Sequence, residues 1–156
     1  DVVAQSLRHW REDDLLALAR HLADLPTRQA PRRAPAATTG RAGELGARVY
    51  EQQCASCHGK QGEGARLASG ELAYPALAGN RAVTLDSPAN LIRMVQEGGF
   101  GLPSAREPRP WGMPPFQLAL DDAALAAVLG HIRQSWGNQA SAVDLLEVHR
   151  ARNLSP

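Results

Sequence analysis

The sequence predicts an all-α fold whose helices are separated by long loops rich in glycine and proline. Leucines recur at three- and four-residue intervals over residues 15–25, and a second apolar stripe of this period covers residues 125–136. Residues 100–116 contain too many prolines for a regular helix or sheet, and no segment alternates convincingly as a strand does. Hydrophobic residues make up 44% of the chain but aromatic residues only 4%, so the core needs another large apolar body.

The first 26 residues are expected to form a helical segment that ends at Pro26. Residues 27–43 are rich in Pro, Arg and Ala, which is typical of a linker. The start of the chain lacks the basic and apolar regions of a signal peptide. No apolar run approaches the ~18–20 residues needed to span a bilayer. We therefore expect a mature or trimmed chain, or a piece of a longer one.

The compact unit is predicted over residues 44–138, with a C-terminal extension at 139–156. A helix is expected over residues 88–97, with Ser87 as its N-cap and Pro88 at its first position. Gly98 and Gly99 should stop it.

A last helix is expected to open at Asp121 and Asp122 and to end at Gly137. Its apolar face is predicted to carry Leu125 and to extend to Trp136.

The motif that organises the compact unit is Cys54-Ala55-Ser56-Cys57-His58. C-x-x-C-H is the attachment signature of a c-type haem. Two cysteines three residues apart share a helix face and can bond the vinyl groups along one porphyrin edge, while His58 reaches the iron from the same face. A thioredoxin-like couple would not need the histidine, and a zinc site would need further ligands. A disulfide closing so small a loop would stabilise little. We therefore predict one haem c, bound through Cys54 and Cys57.

If His58 is the proximal ligand, a sixth ligand must come from elsewhere. Met113 is the favoured candidate, because Gly112 lets the backbone approach the haem and the prolines after Met113 stiffen the loop. Met94 lies inside the helix predicted at 88–97 and is interpreted as core filling. His131 is the third candidate and is expected to be packed or exposed rather than bound to iron.

Two residues ahead of the motif resemble a known family. Gly46 and Tyr50 stand where class I cytochromes c place a small and an aromatic residue, at the crossing of their N-terminal and C-terminal helices. Pro75 resembles the family's proline whose carbonyl accepts the proton of the ligating histidine. The resemblance implies a class I cytochrome c fold, with three to five helices around one haem, preceded here by an extra helix and linker.

A closer likeness covers residues 43 to about 150. Four segments resemble the last haem domain of multi-haem cytochrome c subunits of membrane-bound bacterial alcohol, gluconate and aldehyde dehydrogenases: Tyr-Pro-Ala-Leu-Ala-Gly-Asn (74–80), Leu-Ile-Arg-Met-Val-Gln-Glu-Gly-Gly (91–99), Met-Pro-Pro-Phe (113–116) and Ile-Arg-Gln-Ser-Trp-Gly-Asn (132–138). One departure is His131, where that helix usually carries an aromatic residue. Three side chains are candidate partners of the haem propionates, with ordinary surface or loop packing as the alternative: Arg66, Arg81 and Trp111.

The N-terminal segment is a candidate internal repeat of the last helix. Leucine, leucine, histidine and leucine at positions 15, 18, 21 and 22 match leucine, valine, histidine and isoleucine 110 residues later. Residues 1–26 also resemble the closing segment of a preceding haem domain. The chain would then carry the tail of one haem domain and one whole domain. The alternative is a single-haem protein with an N-terminal helix over its core. The leucine stripe is also a candidate homodimer surface.

A haem with two protein ligands has no open iron position, so the simplest function is one-electron transfer rather than catalysis. The resemblance implies electrons from a dehydrogenase catalytic subunit or another haem, passed towards quinone or a terminal oxidase. It also implies the bacterial periplasm, with membrane association through the parent complex. Two alternatives stay open: a protein that binds or senses a small ligand at the haem, and a haem enzyme with an open sixth position. The net charge of +1 predicts no nucleic-acid affinity.

Overall fold

The computed structural model describes residues 6–26, 38–101 and 112–153. The chain divides into two compact units, residues 1–32 and 33–156. The first contains a 3-10 turn at Leu7–His9 and helix α1 at Glu12–Asp24, of which no residue is buried.

The second unit is mostly helical. Helix α2 (Gly40–Val49) runs through a π turn (Tyr50–Cys54) into the short helix α3 (Ala55–His58), and the remaining helices are α4 (Ala89–Glu97), α5 (Asp122–Gln134) and α6 (Leu145–Asn153). The prediction of a mostly α fold is therefore confirmed. The described helices include none with the length and apolar character that a bilayer crossing requires.

The core forms where α2 crosses α5. A Cβ at Gly46 would collide with the carbonyl of Ala127, so the two backbones can approach this closely only because position 46 is glycine. Residues 125–130 of α5 are all buried. On another side, α6 packs against α4 and α5, and its Val148 is 0% exposed.

The ends of two predicted helices are confirmed in part. The Asp121 side chain accepts the amide proton of Ala124 at 2.7 Å and caps α5 as expected. Gly98 ends α4 with a φ of +70°. Pro88, however, is the N-cap of α4 rather than its first helical residue. Trp136 lies outside α5, because the helix already ends at Gln134.

The prediction that α5 is the last helix was wrong, since α6 follows within the expected C-terminal extension. Four short strands in the described residues were not predicted, and they form two antiparallel ribbons: β1 (Ala65–Arg66) with β2 (Leu72–Tyr74), and β3 (Gly99–Phe100) with β4 (Gly112–Met113). Strands of two or three residues are too short to show an alternating pattern.

Arg133 is a buried cation that ties α5 to two loops. It is 1% exposed. Its guanidinium donates to the carbonyls of Val83 at 2.7 Å, Leu85 at 2.8 Å and Ser141 at 2.7 Å. Burial lowers the pKa of this group, and nearby Glu147 and Asp86 oppose that effect. The charge is thus solvated by backbone carbonyls in place of water.

Candidate haem-attachment site

Cys54 and Cys57 lie where the π turn joins α3. Both are partly buried and neither is in a disulfide. Cys54 packs against the hydrophobic core. Burial, and secondarily the neighbouring Cys57, raises the pKa of its thiol to about 11. Among the described residues, no cluster of three or more His, Cys, Asp or Glu could hold a metal ion, as the zinc alternative would require.

His58 ends α3 and is oriented by Pro75. Its Nδ1 lies 2.9 Å from the carbonyl oxygen of Pro75. A carbonyl can only accept, so Nδ1 carries the proton and Nε2 is the nitrogen that could bind iron. The structure thus brings Pro75 to His58 as the resemblance implied.

The loop that carries Pro75 is fixed against the glycines that follow the motif. The amides of Leu77 and Ala78 both donate to the Gly62 carbonyl, at 2.7 and 2.9 Å. A Cβ at Gly64 would lie 2.5–2.8 Å from backbone atoms of residues 74–76. Gly62 and Gly64 also have positive φ angles, of +66° and +72°. Glycine is therefore needed twice here, for chain direction and for space.

Asn138 holds the same loop from the other side, a role that the sequence analysis did not assign. Its side-chain oxygen accepts from the Gly79 amide at 2.9 Å, and its nitrogen donates to the Leu77 carbonyl at 3.0 Å. In the sequence, Asn138 comes directly after Gly137, the glycine that was expected to end the helix. This position does not show which loop the Asn138 side chain contacts.

Tyr50 connects the helix crossing to the loop after His58. Its hydroxyl donates to the carbonyl of Gly59 at 2.6 Å. Its ring centroid lies 5.5 Å from that of His131 and 4.8 Å from that of Trp136. Burial, followed by nearby Cys54 and Glu63, raises the pKa of Tyr50 to about 12. His131 is thus packed against the rings of Tyr50 and Trp136, which is one of the two placements, packed or exposed, that were expected.

Met113 lies in β4, opposite Gly99 of β3. It is partly buried and packs against the core. A Cβ at Gly98 would collide with the backbone of Met113 and Pro114, so the chain passes close to the end of α4. Gly112 faces Phe100, whose ring occupies the space that a Cβ would take. A side chain at 112 would therefore have to displace this exposed ring.

The interpretation of Met94 as core filling was wrong, because its side chain is 46% exposed. Its Sδ lies 3.0 Å from the position that a Cβ on Gly99 would take. Opposite residues of an antiparallel pair project from the same face. The thioethers of Met94 and Met113 therefore lie on the same face of the β3–β4 ribbon.

The three propionate candidates are not brought together by the described residues. The Arg66 guanidinium donates to the carbonyl of Gly70 at 2.8 Å, across the β1–β2 turn. Arg81 is exposed. Trp111 lies outside the described residues.

The residues present fit a covalently attached haem. The donor set comprises two thiols and a histidine with a defined tautomer. Five large apolar residues between positions 67 and 100 are 41% to 76% exposed, which leaves apolar surface for a flat cofactor to cover: Leu67, Leu72, Leu85, Met94 and Phe100.

The family model for cytochrome c matches residues 43–136. The chain belongs to the cytochrome c family. Cytochromes c carry covalently bound haem and transfer electrons, and the C-x-x-C-H motif lies inside the matched range. The cytochrome c subunit of a quinone-dependent alcohol dehydrogenase from Gluconobacter oxydans (strain 621H) is 35% identical over 148 residues, covering 90% of this chain and 30% of that protein.

Two further relatives of this cytochrome belong to other complexes. The gluconate 2-dehydrogenase cytochrome c subunit of Pantoea cypripedii is 36% identical over 154 residues, covering 91% of this chain and 33% of that protein. The cbb3-type cytochrome c oxidase subunit CcoP of Azospirillum brasilense is 26% identical over 102 residues, covering 65% of this chain and 31% of that protein. The chain therefore spans about a third of the length of the curated relatives it matches.

Proposed function

We propose that this cytochrome is a one-electron carrier with a single haem c, bound through Cys54 and Cys57 and ligated by His58 and Met113. The observation that carries the proposal is the 2.9 Å bond between His58 Nδ1 and the Pro75 carbonyl, beside two free thiols. This bond fixes the ring and makes Nε2 a stronger donor. The haem supplies a reversible one-electron iron couple.

Met113 is supported as the sixth ligand by the restraints on its backbone. The pairing of Met113 with Gly99 fixes one side, and Pro114 and Pro115 limit the chain on the other. The backbone that carries this thioether is thus restrained on both sides. With both ligands bound, the iron has no open position for a substrate. We therefore propose an electron carrier and not an enzyme.

Arg66, Arg81 and Trp111 remain proposed propionate partners. Arg66 would have to exchange its bond to the Gly70 carbonyl for one to a carboxylate, which is the stronger acceptor for a guanidinium.

The names of the relatives support the class of redox partner. We propose that electrons arrive from a dehydrogenase catalytic subunit or a neighbouring haem and leave towards quinone or a terminal oxidase. The proposed location is the bacterial periplasm, with the membrane reached through the parent complex. Transient redox contacts bury less than roughly 1,200 Å².

A second copy of the chain is a further proposed partner, through α1. Apolar residues of α1 and its C-cap are about half exposed, with Leu16 at 48%, Leu22 at 57% and Leu25 at 49%. Sedimentation at high concentration tests this, because a monomer there would contradict pairing through α1.

The first experiment compares visible spectra and reduction potentials of the wild type, Met113→Ala and the matched variant Met94→Ala. We expect Met113→Ala to lose the weak red band of methionine-ligated ferric haem and to lower the potential, since methionine ligation raises it. Met94→Ala should keep both. If Met113→Ala keeps the wild-type spectrum, the sixth ligand is elsewhere. If the wild type itself lacks the band and binds carbon monoxide, the ligand-binding and enzymatic alternatives gain support.

A further inference from the structure

The chain makes an unusual turn after α5, at Trp136 and Gly137. Their φ angles are +54° and +84°, and Trp136 is the single non-glycine residue with a positive φ among those described. Such a conformation persists where the surroundings determine it. The Trp136 ring packs against Tyr50 and fills the space that a Cβ on Gly62 would take. The turn is therefore locked to the residues on either side of the attachment motif.

This turn places Asn138 in a buried position, where both polar atoms of its side chain are hydrogen-bonded. Asn138 is 5% exposed. Its oxygen accepts from the Gly79 amide at 2.9 Å, and its two nitrogen-bound protons go to the carbonyls of Leu77 at 3.0 Å and Ile132 at 2.8 Å. A reversed amide would place an oxygen against two carbonyls, so the orientation is fixed.

The loop held by Asn138 also supplies the partner of His58. Leu77 follows Pro75 by two residues, and its backbone is bonded on both sides, through its amide to Gly62 and through its carbonyl to Asn138. The carbonyl of Pro75 thus points at His58 from a loop clamped between the post-motif glycines and the turn after α5.

We infer that Asn138 is a positioning residue for His58, acting through the Pro75 carbonyl. The inference rests on the proposed ligation of iron by His58. A short, straight bond from Nδ1 to a carbonyl increases the electron density of the ring and favours ferric iron. A loop freed from Asn138 weakens this bond, which shifts the reduction potential to more positive values.

The test is the haem-loaded Asn138→Ala variant, measured for midpoint potential and for hydrogen exchange of the His58 ring N–H by NMR. We expect a more positive potential and faster exchange of this proton. The matched control is Asp121→Ala, which loses the cap bond to the Ala124 amide at the opposite end of α5. The control should lose stability while keeping the wild-type potential and exchange rate.

A wild-type potential and wild-type exchange in Asn138→Ala, with only a lower melting temperature, would overturn the inference. If the alanine variant fails to accumulate with haem, Asn138→Ser is measured in the same way, and the same two outcomes decide. The wild-type spectrum tests iron ligation by His58 separately. A wild type without histidine ligation therefore refutes the proposed function, whereas a histidine-ligated wild type with an unresponsive Asn138 variant refutes only this inference.

Discussion

At the scale of single residues, His131 shows how one departure from a family pattern changes the chemistry of a core. Its ring packs edge-on to Trp136, at 5.4 Å between centroids, and against Tyr50. Burial lowers the pKa of His131 from its ordinary value of 6.5, because the charged imidazolium loses water. The residue therefore ties the stability of the helix crossing to pH.

The sign of this effect follows from proton binding. As the pH falls through about 6.5, His131 of the unfolded chain takes up a proton before the folded one does, so the stability that the neutral ring contributes is lost on the acid side. We expect His131→Phe to be more stable than the wild type below pH 6 and to show a shallower loss of unfolding free energy there. Denaturant titrations at several pH values measure this.

The control for this prediction is His21→Gln, since His21 is an exposed residue of α1. This variant should keep the steep acid loss of the wild type. Equal pH profiles for His131→Phe and the wild type would contradict the role given to burial.

At the scale of helices, the crossing of α2 and α5 depends on the missing side chain of Gly46. We expect Gly46→Ala to destabilise the protein by about 1–3 kcal/mol, because its Cβ would push the helix away from the Ala127 carbonyl. Thermal unfolding followed by circular dichroism measures this. The control is Ala47→Leu on the exposed face of α2, which should have little effect. Unchanged stability in Gly46→Ala would mean that the helices separate at little cost.

Helices with strong local signals could be predicted from sequence, and elements defined by distant contacts could not. Asp121 and Gly98 mark helix ends by their own chemistry, and both acted as expected. Helix α6 has no comparable apolar stripe, and it is held through Val148, which packs in the core. The β3–β4 ribbon joins residues 99–100 with 112–113, a pairing that no local pattern shows.

In the candidate site, too, residues with a local sequence signal could be predicted, and residues defined by distant contacts could not. The attachment residues could be found by spacing, and the resemblance added Pro75, which the structure places against His58. Met94 was misjudged because its helical periodicity does not show that its side chain projects towards Gly99. Asn138 was missed because its bonds cross about 60 residues of chain.

At the scale of the whole molecule, α1 and α5 have the same length at the predicted offset. Helix α1 spans Glu12–Asp24 and α5 spans Asp122–Gln134, so both ends lie 110 residues apart. Their burial differs, because α5 has eight buried residues and α1 has none. The shared bounds support the proposal that residues 1–26 repeat the end of a haem domain.

Deletion of residues 1–32 tests the independence of the two units. Since α1 buries none of its residues, we expect the remaining chain to keep the spectrum, the reduction potential and the melting temperature of the full chain. Parallel spectra and thermal melts of the two proteins measure this. A melting temperature lower by several degrees would show that the helix stabilises the haem unit.

The placement of Cys54 has a consequence for the order of events in biogenesis. The residue sits at the end of a π turn, packed against the core, with a thiol pKa of about 11. A thiol in that state is protonated at neutral pH and reacts poorly. We therefore expect thioether formation at Cys54 to be slower in the folded chain than in the unfolded one, where the thiol lacks this burial. Folding ahead of haem attachment would make Cys54 harder to load.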